Sequence, residues 1–508
     1  MKQVVLGVAG AGTMGSGIAQ LGCAAGMRTV LHDPLGEALA RGSEAVEAGL
    51  SKWVEKGRVD ASAQYLLESA SDLAGLAGCD LVIEAAPERL ELKRELFVRL
   101  SETCGERTVL ATNTSSIPVT SLAGAARRPQ NVVGMHFFNP PPLMRLLEVI
   151  RAEQTGQAAL ALACEVGRAM GKQVILAADG PGFLVNRCGR PFFGEALRLL
   201  QEGITGHEQI DRICRMGGGF RMGPFELMDL VGVDVGFEVA KSFTELSFGE
   251  PRWKPSPIQA RMAAAGRLGR KSGRGYYDYS GEGPHRAPDP ESPTVGDGGG
   301  TPAAILGAGS LAEALRERAR DAGYDLRLGG PAELVVDAGV EPAPHLPGGA
   351  PVLVLCAGAS LAARGEPGAI GFHLLAPLDQ TRLVELTKLP SAHSFAAEAA
   401  EHFFARLGLA AGWVEDAPGL VLGRIACQLV NEACFAVGEG VGTEEDVDTG
   451  LTLGLNHPRG PFAWLEAIGV EHVCSVLDGL WRERREERYR IAPLLLRRAM
   501  LAGWRPRT

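Results

Sequence analysis

The sequence predicts a doubly wound, parallel α/β sheet followed by an all-helical domain, and then a degenerate second copy of both. Three observations carry this. Short apolar runs alternate with helix-patterned segments up to about residue 180. From Pro181 to about Gly266 the pattern is helical, with long apolar faces. His136–Gly236 then aligns without a gap with His373–Val473, at an offset of 237 residues.

Residues 3–9 (QVVLGVA) predict a buried first strand. The glycine loop that follows at once argues against a signal peptide here. A helix comes next, then a second apolar run, Thr29–His32, ending at Asp33. Asp80–Ala85 predicts another strand, and Leu90, Leu92, Leu96, Phe97 and Leu100 mark one face of the helix after it. Val109–Thr112, Val132–His136, Arg145–Ile150 and Gln173–Ala177 complete the sheet. Ser280–Thr301 is rich in Gly and Pro and poor in large apolar residues, so it predicts a linker. The expected domains are 1–180 (sheet), 181–280 (helical), 281–301 (linker), 302–415 (degenerate sheet) and 416–508 (second helical).

Composition narrows the function. A net charge of −9 argues against a nucleic-acid partner, which needs a basic face. No apolar run approaches the roughly 20 residues of a membrane span. Ten cysteines without a C-x-x-C pair or metal spacing read as reduced thiols of a cytoplasmic protein that holds no metal. The arginine-rich WRERREERYR segment near the C-terminus reads as a solvated helix face.

Gly10-x-Gly12-x-x-Gly15 sits between a predicted strand and a helix. Glycine there permits the tight turn, the approach of a pyrophosphate to the backbone, and close helix–strand packing. Asp33 ends the next strand, where a carboxylate accepts both ribose hydroxyls and repels a 2′-phosphate. The first domain thus reads as a Rossmann-type dinucleotide site favouring NAD. Asn113-Thr114-Ser115-Ser116 follows a strand end, where it can hydrogen-bond a substrate oxygen or cap the next helix. His136 ends a strand among Met, Phe and Pro, a setting that also suits a core histidine. Glu148, in RLLEVI, is a lone carboxylate that burial makes costly unless it is paired. Joined by a short turn, the two make a carboxylate-oriented general base. Asn186 can orient a substrate oxygen or cap its helix.

Taken together, GAGTMGSGIAQ, VIEAAPERLELKRELF, ATNTSSIPVT, GMHFFNPPPLMRLLEVI, DGPGFLVNR, MGPFELMDLVG and GRKSGRGYYDY resemble the 3-hydroxyacyl-CoA dehydrogenase family over residues 1 to about 280. The resemblance implies oxidation of the 3-hydroxyl of a (3S)-hydroxyacyl-CoA with hydride transfer to NAD. It places the catalytic set on Ser115, His136, Glu148 and Asn186. It places NAD contacts on Gly10, Gly12, Thr13, Met14, Gly15, Asp33, Glu88, Lys93, Asn113 and Lys271. Asn139 falls near the acyl thioester, and Lys52 and Lys56 near the CoA phosphates. Tandem members of the family resemble those of bacterial phenylacetate breakdown, which implies 3-hydroxyadipyl-CoA as substrate. The alternatives are 3-hydroxybutyryl-CoA, a free hydroxy acid such as gulonate, and a non-catalytic NAD-binding scaffold.

The second copy keeps His373 and Glu385 but has Gly423 in place of Asn186 and CAGAS (356–360) in place of NTSS. Its glycine loop at Gly307 lies 66 residues before its histidine, against 126 in the first copy, so about half of its nucleotide fold is expected to be lost. It is expected to be inert. In the family the helical domains associate, so the second is expected to form an intramolecular pseudo-dimer with the first, with a homodimer of whole chains as a further expectation.

Overall fold

The computed structural model describes residues 4–327, 331–341, 343 and 349–506; Gln3 of the expected first strand lies outside them. The first sheet contains β1 (Val5–Ala9), β2 (Arg28–His32), β3 (Leu67–Ala70), β4 (Leu81–Glu84), β5 (Val109–Thr112), β6 (Val132–Phe137), β7 (Leu146–Arg151) and β8 (Gln173–Ala178). Their order is β3-β2-β1-β4-β5-β6-β7-β8. Leu6, Val8, Leu81, Ile83 and Ala111 are fully buried, as apolar runs covered on both faces must be.

Two features depart from the expected sheet. β3 (LESA) is a half-exposed edge strand, so it leaves no apolar run in the sequence. β6 and β7 run antiparallel, whereas all other pairings of this sheet are parallel. The short 138–145 connection allows nothing else, since a parallel pair needs a crossover of a dozen or more residues.

The second sheet contains β9 (Pro302–Leu306), β10 (Asp325–Leu326), β11 (Leu334–Asp337), β12 (Val352–Leu355), β13 (Ile370–His373), β14 (Leu383–Lys388) and β15 (Ala410–Trp413), in the order β10-β9-β11-β12-β13-β14-β15. The expectation that half of this fold was lost is corrected. Among the described residues seven strands remain, with β13 and β14 antiparallel as β6 and β7 are. Among the described residues, the losses fall on crossovers. Nothing here matches the helices Gly36–Glu55 and Leu90–Thr103 of the first copy. Sequence spacing counts residues, and crossovers hold more of them than strands do.

The chain forms two compact units. One comprises residues up to Arg187 together with Gly440–Leu455; the other comprises Cys188–Glu439 and the chain from Asn456 onward. In the second unit the helical regions following each sheet meet through buried and half-buried ion pairs. Arg424, fully buried, reaches Glu195 and Glu202 at 3.1 and 2.8 Å. Arg252 reaches Glu432 at 2.9 Å, and Arg490 reaches Glu250 at 2.8 Å. The WRERREERYR segment is therefore not a solvated face. Arg484 pairs with Glu202, Arg488 with Glu195, and Tyr489 is buried. Those partners lie far away in sequence, outside the reach of any local charge pattern.

The Gly- and Pro-rich stretch expected to be a linker is irregular but anchored. His285 and Arg286 bond Glu226 at 2.9 and 2.8 Å, and Asp289 bonds Arg215 at 2.6 Å. Among the described residues no helix is long and apolar enough to cross a membrane, and no cluster of His, Cys, Asp and Glu suits a metal. All ten cysteines are buried, and none is in a disulfide.

Candidate active site

The glycine loop leaves β1 at Gly10, whose φ of +117° suits glycine. A Cβ there would lie 2.6 Å from the Ala85 carbonyl, and a Cβ on Gly15 would lie 1.8 Å from that of Gly10. A Cβ on Gly12, by contrast, would meet nothing within 4 Å, so the loop backbone there is open to a ligand. Gly12 is the N-cap of the Thr13–Ala24 helix and supplies no side-chain acceptor, so the first-turn N–H groups suit a phosphate. Asp33 is held by N–H groups of Ala11 (2.9 Å) and Leu35 (3.0 Å). Together with Gly10, Gly12, Thr13 and Met14 it lines a cleft of about 680 Å³. These residues fit the pyrophosphate and adenosine ribose of NAD.

A second cavity, of about 420 Å³, shares Met14, Ala85 and Ala86 with that cleft and so lies next to it. It gathers Ser115, His136, Asn139 and Asn186, with Glu88, Lys93 and Asn113 also in its lining. The antiparallel register sets His136 directly opposite Glu148. Nδ1 of His136 lies 2.9 Å from Oε2 of Glu148, which leaves Nε2 for the cavity. The other oxygen of Glu148 accepts from the N–H groups of Leu184 (2.7 Å) and Val185 (3.1 Å). Glu148, fully buried, thus orients the histidine and also fixes the start of the Val185–Gln201 helix, whose second residue is Asn186. Such a dyad can take a proton from a hydroxyl held beside it.

Sequence reasoning missed the support beneath this site. Glu84 ends β4 fully buried; it accepts from Lys93 Nζ at 2.6 Å and from Thr112 Oγ1 at 2.7 Å. The signal was there in LVIE, a lone carboxylate in an apolar run like that of Glu148. Lys93 is almost fully buried, and its ammonium is engaged by Glu84, the Ala86 carbonyl and Glu88. It braces the site and presents no free charge. Glu88 Oε1 gathers Thr114 Oγ1 (2.6 Å) and the N–H groups of Ser115 and Ser116 (3.0 and 3.2 Å). Burial pushes the Glu88 carboxyl up, but Lys93 and these donors together outweigh it and hold the group below its ordinary range. The NTSS turn is thereby built on Glu88, which leaves Ser115 exposed at the cavity. The Asn113 side chain accepts from the Phe137 N–H at 2.8 Å, tying the ends of β5 and β6.

Three expected contacts are not among the residues that line the cleft or the cavity. Lys52 and Lys56 are exposed at the end of the Gly36–Glu55 helix and line neither the cleft nor the cavity. Lys271 pairs with Asp234 at 2.7 Å in the second unit.

The corresponding place in the second copy is closed. His373 and Glu385 face each other in register, but Nδ1 stands 4.0 Å from the carboxylate and has no hydrogen-bond partner. The His373 ring instead meets His472 at 3.1 Å. A Cβ on Gly423 would lie 2.3 Å from that ring, so the histidine fills the room an asparagine needs. Burial drives the Glu385 carboxyl up to about 8 and holds His373 well below its ordinary range. At neutral pH this is a neutral acid beside a neutral ring. At the second glycine loop, Ser310 Oγ bonds the Ala467 carbonyl at 3.0 Å, so the Pro461–Ile468 helix sits against the place a phosphate would take.

The chain matches the 3-hydroxyacyl-CoA dehydrogenase NAD binding domain over residues 5–180. It matches the 3-hydroxyacyl-CoA dehydrogenase C-terminal domain over 182–279 and again over 419–507. It is 35% identical to the 3-hydroxyadipyl-CoA dehydrogenase of Escherichia coli (strain K12) over 503 residues, 97% of each chain. It is 41% identical to a probable 3-hydroxybutyryl-CoA dehydrogenase of Deinococcus radiodurans over 276 residues, 54% of this chain and 99% of that one. The crystal structure of a 3-hydroxybutyryl-CoA dehydrogenase from Escherichia coli K12 substr. MG1655 is similar with a TM-score of 0.84 and 32% identity, over 99% of this chain and 100% of the other. The chain belongs to the 3-hydroxyacyl-CoA dehydrogenase family, as an NAD-dependent oxidoreductase in which the C-terminal domain occurs twice.

Proposed function

We propose that this chain oxidises the 3-hydroxyl of 3-hydroxyadipyl-CoA to the ketone, in the cytoplasm, using the first copy alone. The observation that carries the site is the His136–Glu148 pair at a cavity that shares Met14, Ala85 and Ala86 with the dinucleotide cleft. Nε2 of His136 takes the hydroxyl proton as the hydroxyl becomes a carbonyl. Glu148 stabilises the imidazolium that results and keeps Nδ1 protonated throughout. Ser115 and Asn186 hold the reacting oxygen, and Asn139 lies by the thioester. The glycine loop and Asp33 would hold NAD, whose nicotinamide would supply the acceptor for the hydride that leaves C3. General-base catalysis contributes about 10²–10⁴-fold, so the placement of C3 against the cofactor must supply much of the remainder.

Similarity over nearly the full length to a 3-hydroxyadipyl-CoA dehydrogenase supports the dicarboxylic substrate. A full-length structural relative named for 3-hydroxybutyryl-CoA favours the shorter acyl chain as the second reading. An NADH-production assay compares kcat/KM for 3-hydroxyadipyl-CoA, 3-hydroxybutyryl-CoA and free gulonate. The highest value for 3-hydroxyadipyl-CoA is the expected result. A higher value for 3-hydroxybutyryl-CoA selects the second reading, and turnover of gulonate alone overturns both.

The second copy takes the place of a partner subunit. Its helices meet those of the first copy through Arg424, Arg252 and Arg490, which supports an intramolecular pseudo-dimer. The measured mass of the full chain in solution distinguishes a monomer from a dimer of such chains.

A further inference from the structure

The second copy reaches the first copy's site. The Glu444–Gly454 helix belongs to the second repeat, yet Gly440–Leu455 forms part of the first compact unit. The Ala178 N–H, at the end of β8, donates to the Val441 carbonyl at 2.7 Å. Residues Gly450 and Gly454 then let this helix lie close against the catalytic sheet. A Cβ on Gly450 would be 2.8 Å from Val185, and one on Gly454 would be 2.8 Å from Leu146 and 3.2 Å from Phe138. The next residue, Leu455, lines the same cavity as His136, Ser115, Asn139 and Asn186.

The reciprocal contact has a different ending. The Glu415 N–H donates to the Ile204 carbonyl at 2.8 Å, which is the Ala178–Val441 bond moved by the repeat offset. The first repeat's His207–Gly218 helix packs on β14 of the closed copy. At the position of Leu455 it carries Gly218, where a Cβ would already meet Leu422 at 2.8 Å. A side chain projects at this position only toward the copy whose site is open.

We propose that Leu455, delivered by the second copy, is a wall of the first copy's acyl pocket and sets which acyl chains that pocket accepts. The proposal rests on the reading of this cavity as the acyl-CoA site. Leu455 joins Met14, Phe137 and Phe138 as a large apolar residue of the lining, set beside the polar Asn139 and Asn186, and it is the one of the four that comes from the second repeat. Acyl carbons beyond C3 pack against them, and one methylene against such a wall changes kcat/KM by roughly 10–200-fold. This gives the inert copy a part in substrate selection as well as in assembly.

The test uses the full chain with Leu455→Ala and Leu455→Phe. kcat/KM is measured for four-, six- and eight-carbon 3-hydroxyacyl-CoAs and for 3-hydroxyadipyl-CoA, with NADH affinity measured alongside. The ratio of eight- to four-carbon kcat/KM is expected to rise at least about tenfold in the alanine variant and to fall in the phenylalanine variant. NADH affinity is expected to stay within about twofold. A purely structural role would lower all substrates together; ratios unchanged in both variants of an active enzyme overturn the proposal. If the wild type turns over no thioester, the functional reading fails and this one with it. A second measurement does not depend on turnover. All ten native cysteines are buried, so Leu455→Cys introduces the accessible thiol. Acetoacetyl-CoA is expected to slow its labelling by at least about tenfold; an unchanged labelling rate at saturating acetoacetyl-CoA overturns the proposal.

Discussion

His136 and Glu148 stand opposite each other across the antiparallel β6–β7 pair with 2.9 Å between Nδ1 and Oε2, while their repeats His373 and Glu385 hold the same register 4.0 Å apart. Register alone does not make a dyad. The first pair is hydrogen-bonded at a cavity. The second is buried beneath His472 and Gly423.

His136→Gln is expected to lower kcat by at least about 10²–10⁴-fold with NADH affinity retained. Glu148→Gln is expected to fall in the same range, because the amide keeps the shape but not the charge that steadies the imidazolium. Glu385→Gln is expected to leave kcat within about threefold, since Glu385 is buried beside the closed His373 position. Steady-state assays and NADH fluorescence titration check all three. An active His136→Gln enzyme would remove the base assigned here.

One NADH per chain is expected at saturation. Gly10→Ala is expected to abolish binding, because its φ is +117° and its Cβ would meet the Ala85 carbonyl. Gly307→Ala has a φ of +99° and a similar clash with Gly339, so it is expected to cost stability but leave NADH affinity unchanged. Calorimetric titration gives both numbers. Two NADH per chain would show that the second loop is open.

Stability is expected to fall on both sides of neutrality for different reasons. Burial holds His457 and His472 down to about 4 and keeps His373 well below its ordinary value. The unfolded chain therefore takes up protons that the folded one does not as pH falls from about 6.5 to 4, and stability drops. Glu385 acts in the opposite sense. Its folded value, raised to about 8, lies above the unfolded one, so its contribution is lost as pH rises through that window. Glu385→Gln is therefore expected to raise Tm over wild type at pH 8 more than at pH 5. Thermal melts across pH measure this, and an equal difference at both values contradicts it.

Arg424→Met is expected to destabilise the second unit by about 3 kcal/mol, since it removes the fully buried cation that bridges Glu195 and Glu202 and leaves them only Arg488 and Arg484. Urea unfolding reads the change. A loss under about 1 kcal/mol would mean that apolar packing, and not this network, joins the two helical regions.

Much of the candidate site was legible because its residues disclose themselves chemically. A glycine loop between strand and helix, an aspartate at the next strand end, and a carboxylate alone in RLLEVI all need a physical reason to be where they are. Glu84 in LVIE made the same announcement, but its partners Lys93 and Thr112 lie on other elements, and the link appears only once these pack. The edge strand β3 was silent because a half-exposed strand has no apolar run. The arginines of WRERREERYR misled because their carboxylates are distant in sequence.

The fold class, the repeat, the glycine loop and the pairing of His136 with Glu148 were readable from the chain alone, since each depends on local pattern or on residue types costly to bury unpaired. Tertiary structure decided the rest. Packing closed the second site by placing His472 and a glycine against His373. It kept the second sheet by shedding crossovers instead of strands. It also carried Leu455 across from one repeat into the cavity of the other. Those outcomes depend on which surfaces meet, and a linear pattern records the surfaces without recording their partners.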